Sequence, residues 1–241
     1  MAYRLDAIRK SYGGIPVLAG VDLELERGSV TVILGPSGCG KTTLLNVMAG
    51  LVPFEGGSRS GFDEARFSYA FQEPRLLPWM NARENAAFAL SGLMARDAAL
   101  ARVDALLEVA GLADARDLRP DQFSGGMRQR LSLVRAFAYP ADILLLDEAF
   151  TSVDLRTKID LMDAFLGLWK AERPTVVSVT HDVEESVYLA DRVVVLSDRP
   201  ARVMDGFAIP LEHEARSLGS AAAMDTEGRL YRLILGGAAR K

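Results

Sequence analysis

Cysteine is almost absent from the chain. Cys39 is the only one in 241 residues, so no intrachain disulfide can form and a reducing compartment is the natural setting. Long apolar runs are missing as well. Stretches such as ILLL and VVVL have strand length, far below the roughly 20 residues a membrane-spanning helix requires, and the chain is expected to be soluble by itself. The opening segment MAYRLDAIRKSYGG has no apolar core followed by small residues, so no secretory leader is expected. Nor is there an excess of positive charge. With 28 Lys and Arg against 32 Asp and Glu, the net charge of −4 offers no basic field to nucleic acid and argues against such a partner. No repeat or low-complexity tract is found.

What remains is a globular composition, 49% hydrophobic and 25% charged, with little room for disorder. Strand-like and helix-like stretches alternate. VTVILG reads as a buried strand and KTTLLNVMAGL as the helix after it. EGGSRSG reads as a short link, and ARFSYAFQEPRLLPW as a strand and a proline-bracketed loop. Residues 81–120 carry helical spacing. ADILLLDEA and PTVVSVTHD are two further buried strands, and DRVVVLSD opens a β-rich return. This order predicts an α/β fold with a mostly parallel sheet.

The chemistry begins at GPSGCGKTT, residues 35–43. It satisfies G-x-x-x-x-G-K-[ST] in full, between a predicted strand and a predicted helix, which is the context a phosphate loop requires. Gly35, Pro36, Ser37, Gly38, Cys39 and Gly40 form a loop whose N–H groups can face phosphates. Lys41 reaches the β and γ oxygens, the Thr42 hydroxyl suits Mg²⁺, and Thr43 adds a contact on the α-phosphate side. Cys39 is expected to contribute its backbone N–H rather than thiol chemistry. A phosphate loop also requires acidic groups for its metal. ILLLDE supplies them at a strand's C-terminal end, with Asp147 for Mg²⁺ and Glu148 to orient and polarise an attacking water. His181 follows another buried strand, where it can meet a γ-phosphate. Gln72 follows a strand and offers a neutral amide to Mg²⁺ or water. A second Gly-Gly turn, FSGGMRQR at residues 123–130, opens a basic, amphipathic run and is itself suited to hold an anion.

Taken in order, the phosphate loop, Gln72, FSGGM, ILLLDE, TSVD and His181 resemble the motif series of the ATP-binding subunits of ABC transporters, over nearly the whole chain. That resemblance implies a P-loop ABC-type ATPase core with a small antiparallel β region and an α-helical subdomain. It implies a single domain over residues 1–241, the helical subdomain inserted at about 75–135 and a short C-terminal extension at 200–241. Ser124, Gly125, Gly126 and Met127 would be the signature motif, and Ser152 to Asp154 the D-loop. Tyr12 matches the aromatic that stacks on adenine, although an ordinary edge-strand aromatic is the competing reading. In this family two cassettes pair head to tail, so the signature of one completes the ATP site of the other. The implied partners are a second such subunit, integral membrane permease subunits and, indirectly, an extracytoplasmic solute-binding protein. The implied location is the cytoplasmic face of the membrane. FQEPRLLPW, SGGMRQR and VLSDRPARV further resemble the nitrate, sulfonate and taurine importer group. Leu76, Leu77, Trp79 and Met80 would then either dock the permease or anchor the helical insertion to its own core.

Departures accompany the likeness. Gln72 stands only 31 positions after Lys41 (72 − 41), so the antiparallel region between them looks trimmed. Phe123 replaces a usual Leu, Ala149 a usual Pro and Val153 a usual Ala, while every group that touches phosphate or metal is kept. ATPase activity is therefore expected. Among rivals, TKID at residues 157–160 faintly matches a guanine-reading motif but lies in a predicted helix rather than at a strand end. A regulatory module that holds ATP without turnover conflicts with Glu148. A soluble ABC ATPase outside transport stays open as the alternative to an importer motor. The amphipathic tail stretch GRLYRLIL is expected to be a packing helix, with a dimer contact as the alternative.

Overall fold

The computed structural model describes residues 2–151, 153–211, 213, 216 and 220–238. Ser152 of the expected D-loop and the end of the tail lie outside them. The chain divides into two compact units, Met1–Ala65 with Thr175–Lys241, and Arg66–Pro174.

The first unit starts with β1 (Tyr3–Tyr12) and β2 (Ile15–Leu25), an antiparallel hairpin whose last pair is Tyr12 with Ile15. Gly13 and Gly14 form its two-residue turn at φ 56° and 78°. Two consecutive positive φ values match the right-handed twist of the flanking strands and favour glycine. The buried strand β3 (Val30–Leu34) and helix α1 (Lys41–Met48) follow. EGGSRSG is no mere link: Gly56–Ser60 is an edge strand, β4, on the other side of β1. A Cβ on Gly57 would lie 2.4 Å from the Asp6 carbonyl oxygen, so a glycine is needed for this close approach. Only β4 of the antiparallel sheet comes from the interval between Lys41 and Gln72. The rest is built from the first 25 residues.

The second unit opens with β5 (Phe67–Phe71) and continues through α2 (Ala82–Ala87), α3 (Arg96–Val109) and α4 (Gly125–Ala138). Strand β6 (Ile143–Asp147) pairs in parallel with β5, ending with Phe71 opposite Asp147, and α5 (Leu155–Glu172) follows. The TKID stretch thus lies inside a helix. Phe165 of α5 meets Phe137 at 5.8 Å and Phe150 at 5.6 Å between ring centroids, which closes the helix-on-strand core. Asn81 caps α2 in a reciprocal arrangement with Glu84. Asn85, fully buried on the same helix, accepts the Leu77 N–H at 2.7 Å, and its amide nitrogen lies 2.9 to 3.1 Å from the carbonyls of Leu77, Met80 and Asn81.

The chain then returns to the first unit with β7 (Thr175–Thr180), α6 (Val183–Leu189), β8 (Arg192–Leu196), β9 (Val203–Ala208) and α7 (Ala221–Ala238). β3 lies between β7 and β8 and is parallel to both, while β9 adds antiparallel to β8. Strands covered on both faces read as continuous apolar runs, which is why VTVIL, TVVSVT and VVVL show no alternation. The tail stretch packs through Leu230, wholly buried, and leaves Tyr231 and Leu235 exposed. Arg229 helps to fix the helix by stacking 3.7 Å over the Phe207 ring. Among the described residues no helix is long and apolar enough to cross a membrane.

The buried amide on α2 makes a clear demand. Asn85→Ala strands the Leu77 and Met80 backbone groups and should destabilise the chain by roughly 2–3 kcal/mol, read as a lower urea midpoint at unchanged slope.

Candidate nucleotide site

The phosphate loop is shaped by what its glycines leave out. The Gly35 N–H donates to the Thr180 carbonyl at 3.2 Å, fastening the loop to the end of the neighbouring strand. A Cβ at Gly35 would sit 3.1 Å from Cys39 Sγ and 3.2 Å from Leu196 Cβ. Gly40, at φ 124°, approaches Val17 so closely that a Cβ would lie 2.9 Å from its Cγ1. Gly40 is the N-cap of α1. No side chain caps this helix start and no carboxylate occupies its first turn, so its amides and dipole are directed to an outside anion. Lys41 is 4% exposed, and its ammonium donates to the carbonyls of Gly35 and Pro36 at 3.0 Å each. Ser37, Gly38 and Thr42 are on the surface, Pro36 and Thr43 half-buried. The Cys39 side chain points inward, and burial pushes its thiol above the ordinary range, although Lys41 pulls it the other way. A neutral thiol under the loop is packing material, which leaves the Cys39 backbone as its offering to a ligand.

His181 belongs to the same edge. Leu34 and Thr180 are partners across β3 and β7, so His181 emerges beside Gly35 at the strands' C-terminal ends. It is held from both sides. Thr180 Oγ1 accepts the Asp182 N–H at 3.1 Å, and Asp182 caps α6 by accepting the Glu185 N–H at 2.9 Å. Tyr12 lies at the end of β1, 46% exposed, with the Lys10 ammonium 5.0 Å from its ring centroid.

The second unit collects the remaining residues. Asp147 ends β6, where the Tyr69 hydroxyl donates to its Oδ2 at 3.2 Å. Burial first, and the Asp147 charge second, push the Tyr69 phenol well above its ordinary range, so it remains a donor. Glu148 has φ 50°, a left-handed backbone that a glutamate adopts only under constraint. The constraint is visible, since both the N–H and the hydroxyl of Thr151 donate to the Glu148 carbonyl, at 3.2 and 2.8 Å. Gln72 follows β5 directly and is exposed. Its own carbonyl accepts the Gln129 side-chain amide at 2.8 Å.

At the second Gly-Gly turn Ser124 is the N-cap of α4, its Oγ accepting the Met127 N–H at 3.2 Å. Gly125 is exposed with open space around it. Gly126 is buried, and a Cβ there would meet Thr157 Cγ2 at 2.5 Å. Thr157 also donates its hydroxyl to Asp154 at 2.7 Å, and Asp154 accepts the Thr157 N–H as the cap of α5. These bonds hold the Asp154 carboxyl below its usual range. One threonine therefore meets both Gly126 and Asp154. The basic run after the turn serves the fold. Arg128 donates to the Phe123 carbonyl at 2.6 Å, and Arg135 to the carbonyls of Pro74 and Arg75. Gln129 and Thr151 stand within FSGGMRQR and TSVD, but what they, Arg135 and Tyr69 bond is not legible in the sequence, because the partners are backbone carbonyls or the carboxylate of another strand.

A strand, a glycine loop with its lysine and an uncapped helix define a P-loop nucleotide-binding fold. The family described as ABC transporter matches residues 18–151. An aliphatic sulfonates import ATP-binding protein of Mesorhizobium japonicum is 38% identical over 239 residues, spanning 98% of this chain and 89% of that protein. A taurine import ATP-binding protein of Escherichia coli O157:H7 is 41% identical over 214 residues, covering 85% of this chain and 82% of its own. Among solved structures, a dimeric ATP-binding cassette in a post-hydrolysis state with ADP and Pi superposes with a TM-score of 0.72 at 26% identity, over 87% of this chain and all of that one. The chain belongs to the ABC transporter family and is an ATPase.

The inward thiol generates a direct check. Iodoacetamide at pH 8 should alkylate Cys39 at least about 100-fold more slowly than glutathione, and Cys39→Ser should leave the ATPase rate within about threefold.

Proposed function

We propose that this chain is the motor subunit of an importer, pairing with a second cassette around two ATP molecules and driving a membrane permease for small anions of the sulfonate, taurine or nitrate kind. One observation carries the reading. The chain has two helix starts suited to phosphate, a lysine-bearing one at α1 and one without lysine at α4, whereas a single ATP needs only one phosphate loop. The second, with Gly125 exposed, is suited to a triphosphate held by another copy.

In this reading Tyr12 stacks on adenine, and the loop from Gly35 to Gly40 with Lys41, Thr42 and Thr43 holds the phosphates. Ser124, Gly125, Gly126, Met127 and Asp154 of the opposite cassette close the site. Thr42, Asp147 and Gln72 would hold Mg²⁺. Their hydroxyl, carboxylate and amide oxygens are the hard donors this ion takes, and among the described residues no group of three His, Cys, Asp or Glu builds a protein-only cage. Mg²⁺ held there would supply charge neutralisation to the phosphates. Glu148, fixed by Thr151, orients and polarises the attacking water. His181 and Lys41 stabilise charge on the transferred group. Loss of the γ-phosphate removes the bond between cassettes, and opening follows as a population shift.

The whole chain acts as one cassette, with the helical subdomain near residues 75–135 and the C-terminal extension at 200–241. The permease side is supported by the helical segment. Trp79 is 66% exposed on the loop that Asn85 pins, and Phe88 and Leu93 are also exposed. A groove of about 400 Å³ lined by Met80, Phe88, Leu90 and Met94 lies in the same region and suits a short amphipathic helix of the permease. The chain then works at the cytoplasmic face, with the solute chosen by the permease and its binding protein.

Glu148→Gln should lower turnover about 100-fold or more and, with ATP present, shift the chain to twice its mass on size exclusion. The wild-type chain should be isolated together with a co-expressed permease. A variant that stays monomeric with ATP, or a chain that captures ribosomes or DNA instead of permease, contradicts the proposal.

A further inference from the structure

Gln72 is asked to present its amide at a fixed place, yet the sheet gives it no support. The β5–β6 pairing ends with Phe71 opposite Asp147, one residue earlier. From there the backbone is received by side chains of α4. Gln129, 8% exposed, donates to the Gln72 carbonyl at 2.8 Å. Arg135 donates from Nη2 to the Pro74 carbonyl at 2.6 Å and from Nη1 to the Arg75 carbonyl at 2.8 Å.

Two consecutive carbonyls converge on one guanidinium because the loop is bent. Arg75 has φ 47°, a left-handed conformation held by a residue with a full side chain. Its guanidinium turns back over the Phe71 ring, 3.9 Å from the centroid. A strained non-glycine residue persists only where its surroundings over-determine it, and such strain gathers where a loop must be aimed. The planar fork of an arginine meets two adjacent carbonyls with separate N–H groups held in fixed geometry, an orientation that the flexible ammonium of a lysine does not impose.

We propose that Arg135 and Gln129 are positioning residues for hydrolysis. They hold the Gln72–Arg75 backbone on α4, so the loop that presents Gln72 and the helix start at Ser124 behave as one mechanical piece. Displacing the Trp79 segment then moves the signature turn with it, a consequence that rests on the function proposed above. The clamp itself does not depend on that function.

The test compares wild type with Arg135→Met, Arg135→Lys and Gln129→Met in the full chain. Native-state amide exchange over residues 72–76 should accelerate on the order of tenfold in Arg135→Met and in Gln129→Met. Their kcat should fall on the order of tenfold, as a misaimed group predicts, with KM for ATP within about twofold. Arg135→Lys, which keeps a cationic donor but loses the planar fork, should recover part of both. Gln129→Met serves if Arg135→Met fails to fold. Unchanged exchange in this loop overturns the clamp. So does faster exchange with normal kcat, or a uniform loss of stability, KM and kcat that lysine does not relieve. A wild-type chain without ATPase activity contradicts the proposed function, while the exchange comparison still decides the clamp.

Discussion

A triphosphate can be held by backbone amides only where the chain approaches it without a Cβ in the way, and much of this structure follows from that constraint. At α1 the approach is secured by Gly35 and Gly40, each pressed against a neighbour that any larger residue would displace. At α4 Gly126 is pressed on Thr157, with Gly125 left open beside it. Parallel strands supply the rest of the arrangement. Their C-terminal ends bring His181 beside the phosphate loop in one unit and Gln72 beside Asp147 and Glu148 in the other.

The polar residues around these turns divide into two kinds of work. Some face outward with atoms a ligand can use, as Gly125, His181 and Gln72 do. Others spend their hydrogen bonds on the chain itself: Asn85 on the Trp79 loop, Thr151 on the Glu148 turn, Gln129 and Arg135 on the loop after Gln72. Of the four non-glycine residues with left-handed backbones among the described residues, Ala7, Arg75, Glu148 and Arg173, Arg75 and Glu148 have such partners at their carbonyls: Arg135 on Arg75 and Thr151 on Glu148. Rigidity thus accumulates around the atoms that must be aimed.

The sequence was most informative where one chain segment contains the whole device. The phosphate loop, the Asp147–Glu148 pair and the signature turn each declare themselves within ten residues, and buried parallel strands declare themselves by unbroken apolar runs. The antiparallel sheet was harder. Its edge strand Gly56–Ser60 needs a glycine at 57, where it lies close against β1, and its Gly- and Ser-rich sequence looks like a linker in hydropathy. The hairpin at residues 3–25 had usable signals in Gly13-Gly14 and in the alternation of Val21–Leu25, but register shifts between Leu5 and Ser11 and the non-alternating start of the second strand break the pattern. Side chains that act at a distance left no trace, because a carbonyl acceptor has no sequence signature. Arg135 and Gln129 look like an ordinary basic helix until their acceptors are seen.

The central claim is that Lys41 of one cassette and Ser124 of another grip the same ATP. The structure of the Glu148→Gln chain crystallised with Mg²⁺ and ATP tests it most directly. The account predicts the hydroxyl of Ser124 and the N–H groups of the following glycines at hydrogen-bond distance from a γ-phosphate bound at the partner's phosphate loop. A nucleotide-loaded crystal in which Ser124 faces solvent in every copy contradicts it.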